Sequence, residues 1–295
     1  MAQYPELRFA FGKNWLAFLA QLDDQRIADA EASIRQLFEV DQLQGRRFLD
    51  AGCGSGLFSL AARRLGATVV SFDYDPESVA CTQELKRRYA PDDDGWTIGR
   101  GSVLDRDFLV SLGQFDFVYS WGVLHHTGAM WEAIGQIRSN VANGGYLCLS
   151  IYNDQGRSSE RWSKIKRLYC RLPWPFNTGL VVTIGVGLWG LRMASVACAM
   201  LLRIVTLRNP FAPLINWIRE QTQRRARGMH PWYDLVDWVG GWPFEVAKPG
   251  EVFRYVRDGG FVLTHLATCG GGWGCNEFVF QRQDQPILET PRHTN

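Results

Sequence analysis

The sequence predicts an α/β fold: a doubly wound sheet of seven strands whose last strand is antiparallel. Short apolar runs alternate with amphipathic segments between residues 45 and 151, which is the pattern of successive strand and helix units. A glycine-rich turn joins the first of these runs to the first helix. Near the end of the chain, two further apolar runs flank a glycine loop at 270–274, which predicts a closing hairpin.

The glycine-rich turn follows the first strand and reads Asp50-Ala51-Gly52-Cys53-Gly54-Ser55-Gly56. Glycine is needed where a Cβ would block the approach of a ligand to the backbone. Free N–H groups at the start of the following helix can hold an anionic group. A dinucleotide fingerprint would place its third glycine at Leu57. The carboxylate of Asp50, just before the turn, favours instead a ligand with a cationic end.

The second predicted strand, 68–72, ends at Asp73, which lies 73 − 50 = 23 positions after Asp50. This is about the offset expected of an acidic residue that hydrogen-bonds ribose hydroxyls. The two oxygens of one carboxylate can accept from both hydroxyls of a ribose diol. Asp75 and Pro76 then begin the next helix, with Asp75 as its N-cap. Tyr74 is predicted to lie against the nucleoside.

The fourth predicted strand, 115–120, runs directly into a segment that contains two adjacent histidines, His125 and His126. Ligands of open α/β sheets bind at the carboxyl ends of the strands, so both are candidates for a catalytic base. Adjacent side chains point in different directions, and we favour His126 over His125. A structural role for both is the alternative. No third ligand nearby supports a metal site.

The fifth predicted strand, 145–151, ends at Tyr152 and Asn153 on the same edge of the sheet. We expect these two residues, together with Trp121, to contact the substrate. A later stretch, 228–245, is too rich in aromatic residues and glycine for an ordinary linker. It is interpreted either as a rigid lip over the substrate pocket or as a packed surface loop. In the first case His230 or Asp237 reaches inward.

The pattern Asp-x-Gly-x-Gly-x-Gly at 50–56 resembles the first motif of the class I S-adenosylmethionine-dependent methyltransferases. The resemblance covers about 45–153 and 248–282, and a closing hairpin is the usual end of their Rossmann-like sheet. It implies S-adenosyl-L-methionine as the cofactor and a methyltransferase as the enzyme. It also implies that the 101–103 loop meets the adenine. The residues assigned to the cofactor are Asp50, Gly52, Cys53, Gly54, Gly56, Asp73, Tyr74, Ser102, Val103, Ser120 and Trp15.

The segment Trp-Gly-Val-Leu-His-His at 121–126 looks most like small-molecule methyltransferases, including the quinone-precursor O-methyltransferase group. Enzymes that methylate nucleic-acid bases on nitrogen usually carry Asn/Asp-Pro-Pro-aromatic after the fourth strand, and this chain does not. The resemblance therefore implies methyl transfer to an oxygen or nitrogen of a small molecule, with a hydrophobic or lipid-like acceptor included. A non-catalytic S-adenosylmethionine-binding regulatory or partner protein is the alternative. An NAD-dependent oxidoreductase is a further rival.

Composition bounds the partners and the location. The formal net charge is +2, so a dominant electrostatic footprint for nucleic acid is not indicated, and we expect no nucleic-acid partner. Seven scattered cysteines without C-x-x-C spacing fit a reducing cytoplasm. The first residues lack the basic and apolar regions of a secretory signal. We expect a cytoplasmic protein, and the sequence leaves its oligomeric state open.

The expected organisation has four parts. Residues 1–44 form an N-terminal helical cover, 45–154 together with 246–283 form the cofactor-binding domain, 155–245 form a mainly helical insertion between strands five and six, and 284–295 form a disordered tail. Within the insertion, 180–205 is almost wholly apolar and is interrupted by Arg192 and Arg203. The first interpretation is a buried or substrate-covering lid. The second is a helix in a membrane interface, with peripheral contact at the inner face of a membrane.

Overall fold

A computed structural model describes part of the chain: residues 7–9, 11–12, 19, 22–226 and 231–283, with the backbone alone at 220–226, 231 and 233. The predictions made for Trp15, for His230 and for the tail at 284–295 lie outside the described residues.

Seven strands form one sheet with the spatial order β3-β2-β1-β4-β5-β7-β6. The strands are β1 Arg47–Ala51, β2 Thr68–Asp73, β3 Trp96–Arg100, β4 Phe115–Trp121, β5 Val141–Tyr152, β6 Phe261–Ala267 and β7 Cys275–Arg282. Neighbours from β3 to β5 pair in parallel, whereas β7 is antiparallel to both β5 and β6. The prediction of a seven-stranded, doubly wound sheet with an antiparallel last strand is confirmed.

Helices cover both faces of this sheet. The helices in the described residues are α1 Asp24–Phe38, α2 Leu57–Arg64, α3 Pro76–Tyr89, α4 Arg106–Leu112, α5 Met130–Ile137, α6 Arg157–Arg171, α7 Phe176–Val205, α8 Ala212–Ala226, α9 Pro231–Gly240 and α10 Pro249–Arg257. One core contains Ile34, Leu60 and Trp96 from the side of α1 to α3. The other contains Ile134 and Val252 from the side of α5 and α10. The sheet is therefore buried on both faces, as a parallel sheet requires.

Local chemistry fixes where two of these helices begin. The carboxylate of Asp75 accepts a hydrogen bond from the Glu77 N–H at the start of α3. The carboxylate of Asp105 accepts one from the Phe108 N–H at the start of α4. Both carboxylates satisfy amide groups that have no partner inside the helix. The predicted N-cap at Asp75 is confirmed, and both caps lie at the edge of the sheet where β2 and β3 end.

Helices α6 to α9 lie between β5 and β6, which confirms the predicted helical segment. The interpretation that buries residues 180–205 is wrong for most of their length. Only Val181 and Val196 are buried in α7, and 11% of its most apolar 18-residue window lies inside the protein. By length and composition, α7 is a candidate membrane-crossing helix among the described residues. Apolar side chains are exposed on it because few elements of the chain pack against this helix.

Candidate active site

A cavity of about 310 Å³ opens at the carboxyl ends of β1, β2 and β4. This is the edge at which open α/β sheets bind their ligands. The cavity is lined by Arg8, Phe9, Phe11, Gly52, Gly54, Phe72, Asp73, Tyr74, Asp75, Pro76, Ser78, Gly101, Ser102, Val103, Leu104, Trp121, Gly122, Val123, His126 and Thr127. Most of its wall is therefore the predicted glycine turn, the two strand ends after it and the segment following β4.

The glycine turn has a backbone shape that other residues tolerate poorly. Gly52, Gly54 and Gly56 all have positive φ angles, at 86°, 54° and 80°. A Cβ added to Gly52 would lie 2.4 Å from a methyl carbon of Val123. The N–H groups of Gly52 and Cys53 both donate to the carbonyl oxygen of Phe72, at 2.8 and 3.1 Å. The turn is thus held against β2, and its bare backbone at 52 and 54 forms part of the cavity wall.

Asp73 lies on the cavity wall with both carboxylate oxygens oriented by the backbone. One oxygen accepts from the Gly54 N–H at 3.0 Å, and the other accepts from the Asp75 N–H at 2.9 Å. Burial raises the pKa of this carboxyl, and the two N–H donors oppose the rise. Each carboxylate oxygen has a further lone pair. The fixed carboxylate can therefore accept hydrogen bonds from two neighbouring hydroxyls of a ligand.

Asp50 lies behind the turn and is not among the residues that line the cavity. It is 3% exposed, and its carboxylate accepts a hydrogen bond of 2.5 Å from the Ser59 hydroxyl. Ser59 accepts in turn from Ser71, and Ser71 accepts from the indole N–H of Trp96, each at 2.8 Å. Burial raises the pKa of Asp50 to about 7. This chain of donors holds the carboxyl beneath the loop, where it supports the turn.

His126 borders the cavity and is oriented by residues distant in sequence. Its Nδ1 lies 2.6 Å from the carbonyl oxygen of Pro243, and its own carbonyl accepts from the guanidinium of Arg8 at 2.6 Å. A carbonyl can only accept, so Nδ1 carries the proton and Nε2 carries the lone pair. Burial lowers the pKa of His126 to about 3, so the ring is neutral at physiological pH. It offers the cavity wall a neutral imidazole of fixed tautomer.

His125 is fully buried and lies behind His126, with ring centroids 4.5 Å apart. Its Nδ1 accepts from the Tyr152 N–H at 3.4 Å, and the Tyr152 ring lies 4.0 Å from it. Neither His125 nor Tyr152 lines the cavity. His125 and Tyr152 therefore back the ring of His126 and connect it to the helices of the insertion.

The structure brings part of the predicted set together at the cavity: Gly52, Gly54, Asp73, Tyr74, Ser102, Val103, Trp121 and His126. Other predicted residues lie outside its lining: Asp50, Cys53, Gly56, Ser120, His125, Tyr152, Asn153 and Asp237. Several of these support the wall from behind. The Ser120 hydroxyl donates to the Ala51 carbonyl at 2.9 Å, and the Cys53 sulfur lies 3.3 Å from the Thr82 hydroxyl.

Sequence reasoning missed the segment before α1 that lines the cavity through Arg8, Phe9 and Phe11. The Phe9 N–H donates to the Trp242 carbonyl at 2.9 Å, and the Gly12 N–H donates to the Asp75 carboxylate at 2.9 Å. The segment thus connects the insertion to the side of the cavity formed by Asp73 and Asp75. The aromatic residues at positions 9 and 11 were a signal of burial, but their partners lie far away in the sequence.

These features fit S-adenosylmethionine. A turn without Cβ atoms at Gly52 and Gly54 lets the ligand lie against the backbone, and the fixed carboxylate of Asp73 matches a ribose diol. Ser102 and Val103 lie at the end of β3, where a nucleoside base would extend from Asp73. The fold and the cavity together define a class I S-adenosylmethionine-dependent methyltransferase. A family model described as "Methyltransferase domain" matches residues 22–179, more than half of the chain, and the chain belongs to this family.

Solved structures of similar fold support the architecture. The chain is similar to magnesium protoporphyrin IX methyltransferase from Synechocystis with bound SAH, with a TM-score of 0.50, 15% identity, and coverage of 87% of this chain and 83% of that one. It is also similar to an O-methyltransferase family protein from Burkholderia thailandensis, with a TM-score of 0.50, 14% identity, and coverage of 88% and 58%. At such identities the likeness shows the fold.

The names of two relatives with similar sequences specify a tRNA as the acceptor. The tRNA U34 carboxymethyltransferase of Alcanivorax borkumensis is 35% identical over 118 residues, which are 40% of this chain and 35% of that protein. The protein of the same name from Mannheimia succiniciproducens is 29% identical over 159 residues, 49% and 48% of the two chains. The chain thus spans between a third and a half of these relatives.

The expectation that nucleic acid is excluded as a partner is wrong. It depended on the near-neutral net charge and on the absence of an Asn/Asp-Pro-Pro-aromatic motif. The relatives just described are named for a tRNA. Neither a near-neutral net charge nor the absence of that motif therefore distinguishes this chain from enzymes that act on nucleic acid. Net charge averages over a whole surface, whereas a nucleic-acid partner needs only a local basic patch.

Proposed function

We propose that this protein transfers the methyl group of S-adenosylmethionine to an oxygen or nitrogen of a small apolar molecule. One observation carries the proposal: past the glycine turn, the cavity is bounded by the apolar and aromatic side chains of Phe9, Phe11, Trp121 and Val123, beside the neutral imidazole of His126. Such a wall favours a flat or hydrophobic acceptor with one polar atom. A cytoplasmic enzyme is consistent with this reaction.

The chain's own residues divide the work of binding. Asp73 accepts from the ribose hydroxyls, the loop of Ser102 and Val103 holds the base, and the turn at 52–56 lies against the amino-acid part. S-adenosylmethionine supplies an electrophilic methyl group on a sulfonium, which is chemistry that the protein does not provide. The protein's contribution is to hold the acceptor atom in line with that carbon. Orientation of this kind accounts for a large share of the barrier reduction in bimolecular transfers.

His126 is the residue proposed to act on the acceptor. Its Nε2 lone pair accepts the hydroxyl or amine proton while Nδ1 stays bonded to the Pro243 carbonyl. A pKa of about 3 makes it a weak base, so it takes the proton only as the acceptor atom becomes acidic during bond formation. His125 holds the ring from behind.

Carboxymethyl transfer to a tRNA is the second candidate function, and the name of the relatives favours it. A carboxymethyl group carries a carboxylate, and its binding requires a cation near the transferred carbon. Arg8 lines the cavity and lies with its guanidinium carbon 4.6 Å from the Tyr74 ring centre. The matched part of the relatives covers less than half of their length, so the acceptor does not follow from it.

Radiolabel transfer separates these functions. The purified chain is incubated with methyl-labelled S-adenosylmethionine, or with its analogue that bears a labelled carboxymethyl group on the sulfonium, and with either a lipid-soluble extract or a bulk tRNA fraction. We expect label in the lipid-soluble extract, and we expect His126→Asn to lose nearly all of it. Label confined to tRNA, and transferred from the carboxymethyl donor, would establish the second candidate. No label in any fraction, with S-adenosylhomocysteine still bound in calorimetry, would leave a non-catalytic binding protein. Binding of NAD in place of that ligand would overturn the whole assignment.

A further inference from the structure

Helices α7 and α8 form a hairpin whose outer surface is unusually apolar. Its large exposed apolar side chains are Phe176, Val182, Val186, Trp189, Leu191, Leu201, Leu202, Ile204, Val205, Leu207, Phe211, Ile215 and Ile218. Leu207, in the turn between the two helices, is 97% exposed. Exposed apolar surface of this extent marks a site of contact with another protein or with a membrane.

One end of the hairpin is attached to the methyltransferase fold. Val181 is buried in a cluster with Trp162 of α6 and Val239 of α9, and Ile184 packs against the same cluster. A Cβ added to Gly185 would lie 2.6 Å from a methyl carbon of Leu235, so α7 and α9 are in close contact there. The stretch from 186 to 205 extends beyond this attachment for about 30 Å at 1.5 Å per residue.

The charges of the hairpin are predominantly positive. Residues 176–226, which span both helices, contain Arg192, Arg203, Arg208, Arg219, Arg224 and Arg225 against one acidic residue, Glu220. Helix α6, which carries the attachment, adds Arg157, Arg161, Lys164, Lys166, Arg167 and Arg171 against Glu160. Arginine beside apolar and tryptophan side chains is the composition of helices that lie at the boundary between headgroups and acyl chains.

We propose that the α7–α8 hairpin inserts its apolar surface into the interfacial layer of an anionic phospholipid bilayer, with its arginines on the lipid phosphates. A second copy of the chain fits less well, because it would bring two predominantly positive sets of charges together. A helix that crosses the bilayer fits less well too, since Arg192 would then lie in the hydrocarbon. The cluster that attaches the hairpin includes Trp238 of α9, whose ring contacts that of Tyr152.

Vesicle flotation of the full-length chain tests the proposal. The vesicles contain either phosphatidylethanolamine with phosphatidylglycerol or phosphatidylcholine alone. The test variant is the double substitution Leu202→Glu with Leu207→Glu, both on the exposed hairpin surface. The matched control is Val110→Glu, an apolar residue that is 66% exposed on α4. Binding of S-adenosylhomocysteine by calorimetry confirms that each variant is folded.

The proposal expects the wild type and Val110→Glu to float with the anionic vesicles, and the double variant to lose at least nine-tenths of that binding. It also expects several-fold weaker flotation with phosphatidylcholine or at 0.5 M salt, because the arginines contribute through charge. Wild-type protein that stays with the soluble fraction overturns the proposal. So does a double variant that floats as well as the wild type, or a stable dimer in sedimentation that the double variant abolishes. Methyl transfer is not measured, so these results are independent of the proposed reaction.

Discussion

The Nδ1 atom of His126 lies 2.6 Å from the carbonyl oxygen of Pro243, a residue 117 positions later in the chain. Pro243 lies between α9 and α10, near the end of the helical insertion, whereas His126 follows β4 in the sheet. The last part of the insertion therefore fixes the tautomer of a residue that borders the cavity. It does so by one backbone carbonyl, which no side-chain substitution at Pro243 itself removes.

The first prediction concerns the imidazole. His126→Gln keeps an acceptor near the position of Nε2, and His126→Asn keeps a donor near that of Nδ1. We expect the asparagine variant to lose at least 100-fold in kcat and the glutamine variant to lose less. Only the glutamine side chain keeps a hydrogen-bond acceptor near the position of Nε2, which faces the methyl acceptor in the proposed reaction. Both should bind S-adenosylhomocysteine within about threefold of wild type by calorimetry, since the assigned cofactor contacts lie elsewhere. Equal activity of both variants and wild type would show that His126 does not act on the acceptor.

The second prediction concerns acid stability. Burial lowers the pKa of His126 to about 3, against an ordinary value of about 6.5. The folded state thus favours the neutral ring, while the unfolded chain takes up a proton below pH 6.5. The free energy of unfolding should therefore fall as the pH drops from 6.5 toward 3, by about 2 kcal/mol at pH 5 from this residue. Urea titrations at pH 7 and pH 5 measure the difference, which should be smaller by that amount in His126→Gln. An unchanged difference in the variant would contradict the assignment.

The third prediction concerns Asp73, the carboxylate proposed to bind the ribose. Both oxygens of Asp73 accept backbone N–H groups, so an amide NH₂ in Asp73→Asn would face one of these donors. We expect the affinity for S-adenosylhomocysteine to fall at least tenfold, because the diol loses an ionised acceptor and the turn loses a bond. The matched control is Asp107→Asn, an exposed carboxylate in the first turn of α4. Calorimetry that gives equal affinities for both variants would remove Asp73 from the site.

The fourth prediction concerns Lys166, a fully buried lysine of α6. Its ammonium group donates to the Trp238 carbonyl and lies 4.7 Å from the Trp238 ring centre and 4.8 Å from that of Phe244. Burial lowers its pKa to about 7, so the unfolded chain holds the proton more tightly up to about pH 10.4. The contribution of Lys166 to the free energy of unfolding should therefore rise with pH, by about 2 kcal/mol between pH 7 and pH 9.

The measurement for Lys166 is a comparison of unfolding at pH 7 and pH 9 in wild type and in Lys166→Met, which fills the same space without a charge. The rise attributed to Lys166 should be absent from Lys166→Met. Lys164→Met, an exposed lysine on the same helix, should behave as the wild type does. A Lys166→Met variant with the same pH dependence as the wild type would mean that burial does not lower the pKa of Lys166.

Much of the fold follows from local patterns. Asp75 starts its helix with a hydrogen bond to a backbone N–H two residues away, and the turn at 52–56 needs glycine for its own φ angles. Asp73 follows from its position at the end of β2, because the register of parallel strands brings strand ends to one edge. Interactions between residues that are close in the sequence, such as these, can be predicted from the sequence alone.

The sequence by itself determined the α/β class, the order of strand, turn and helix, and the position of Asp73 at the end of β2. Only the tertiary structure decided that His126 borders the cavity while His125 lies behind it, that Asp50 is turned toward Ser59, and that Arg8 reaches the same wall. It also decided that α7 is exposed. The physical reason is the same in each case. Burial and hydrogen-bond partners depend on which distant segments pack together. The sequence of an apolar segment is the same whether the protein itself, a lipid or a partner covers it.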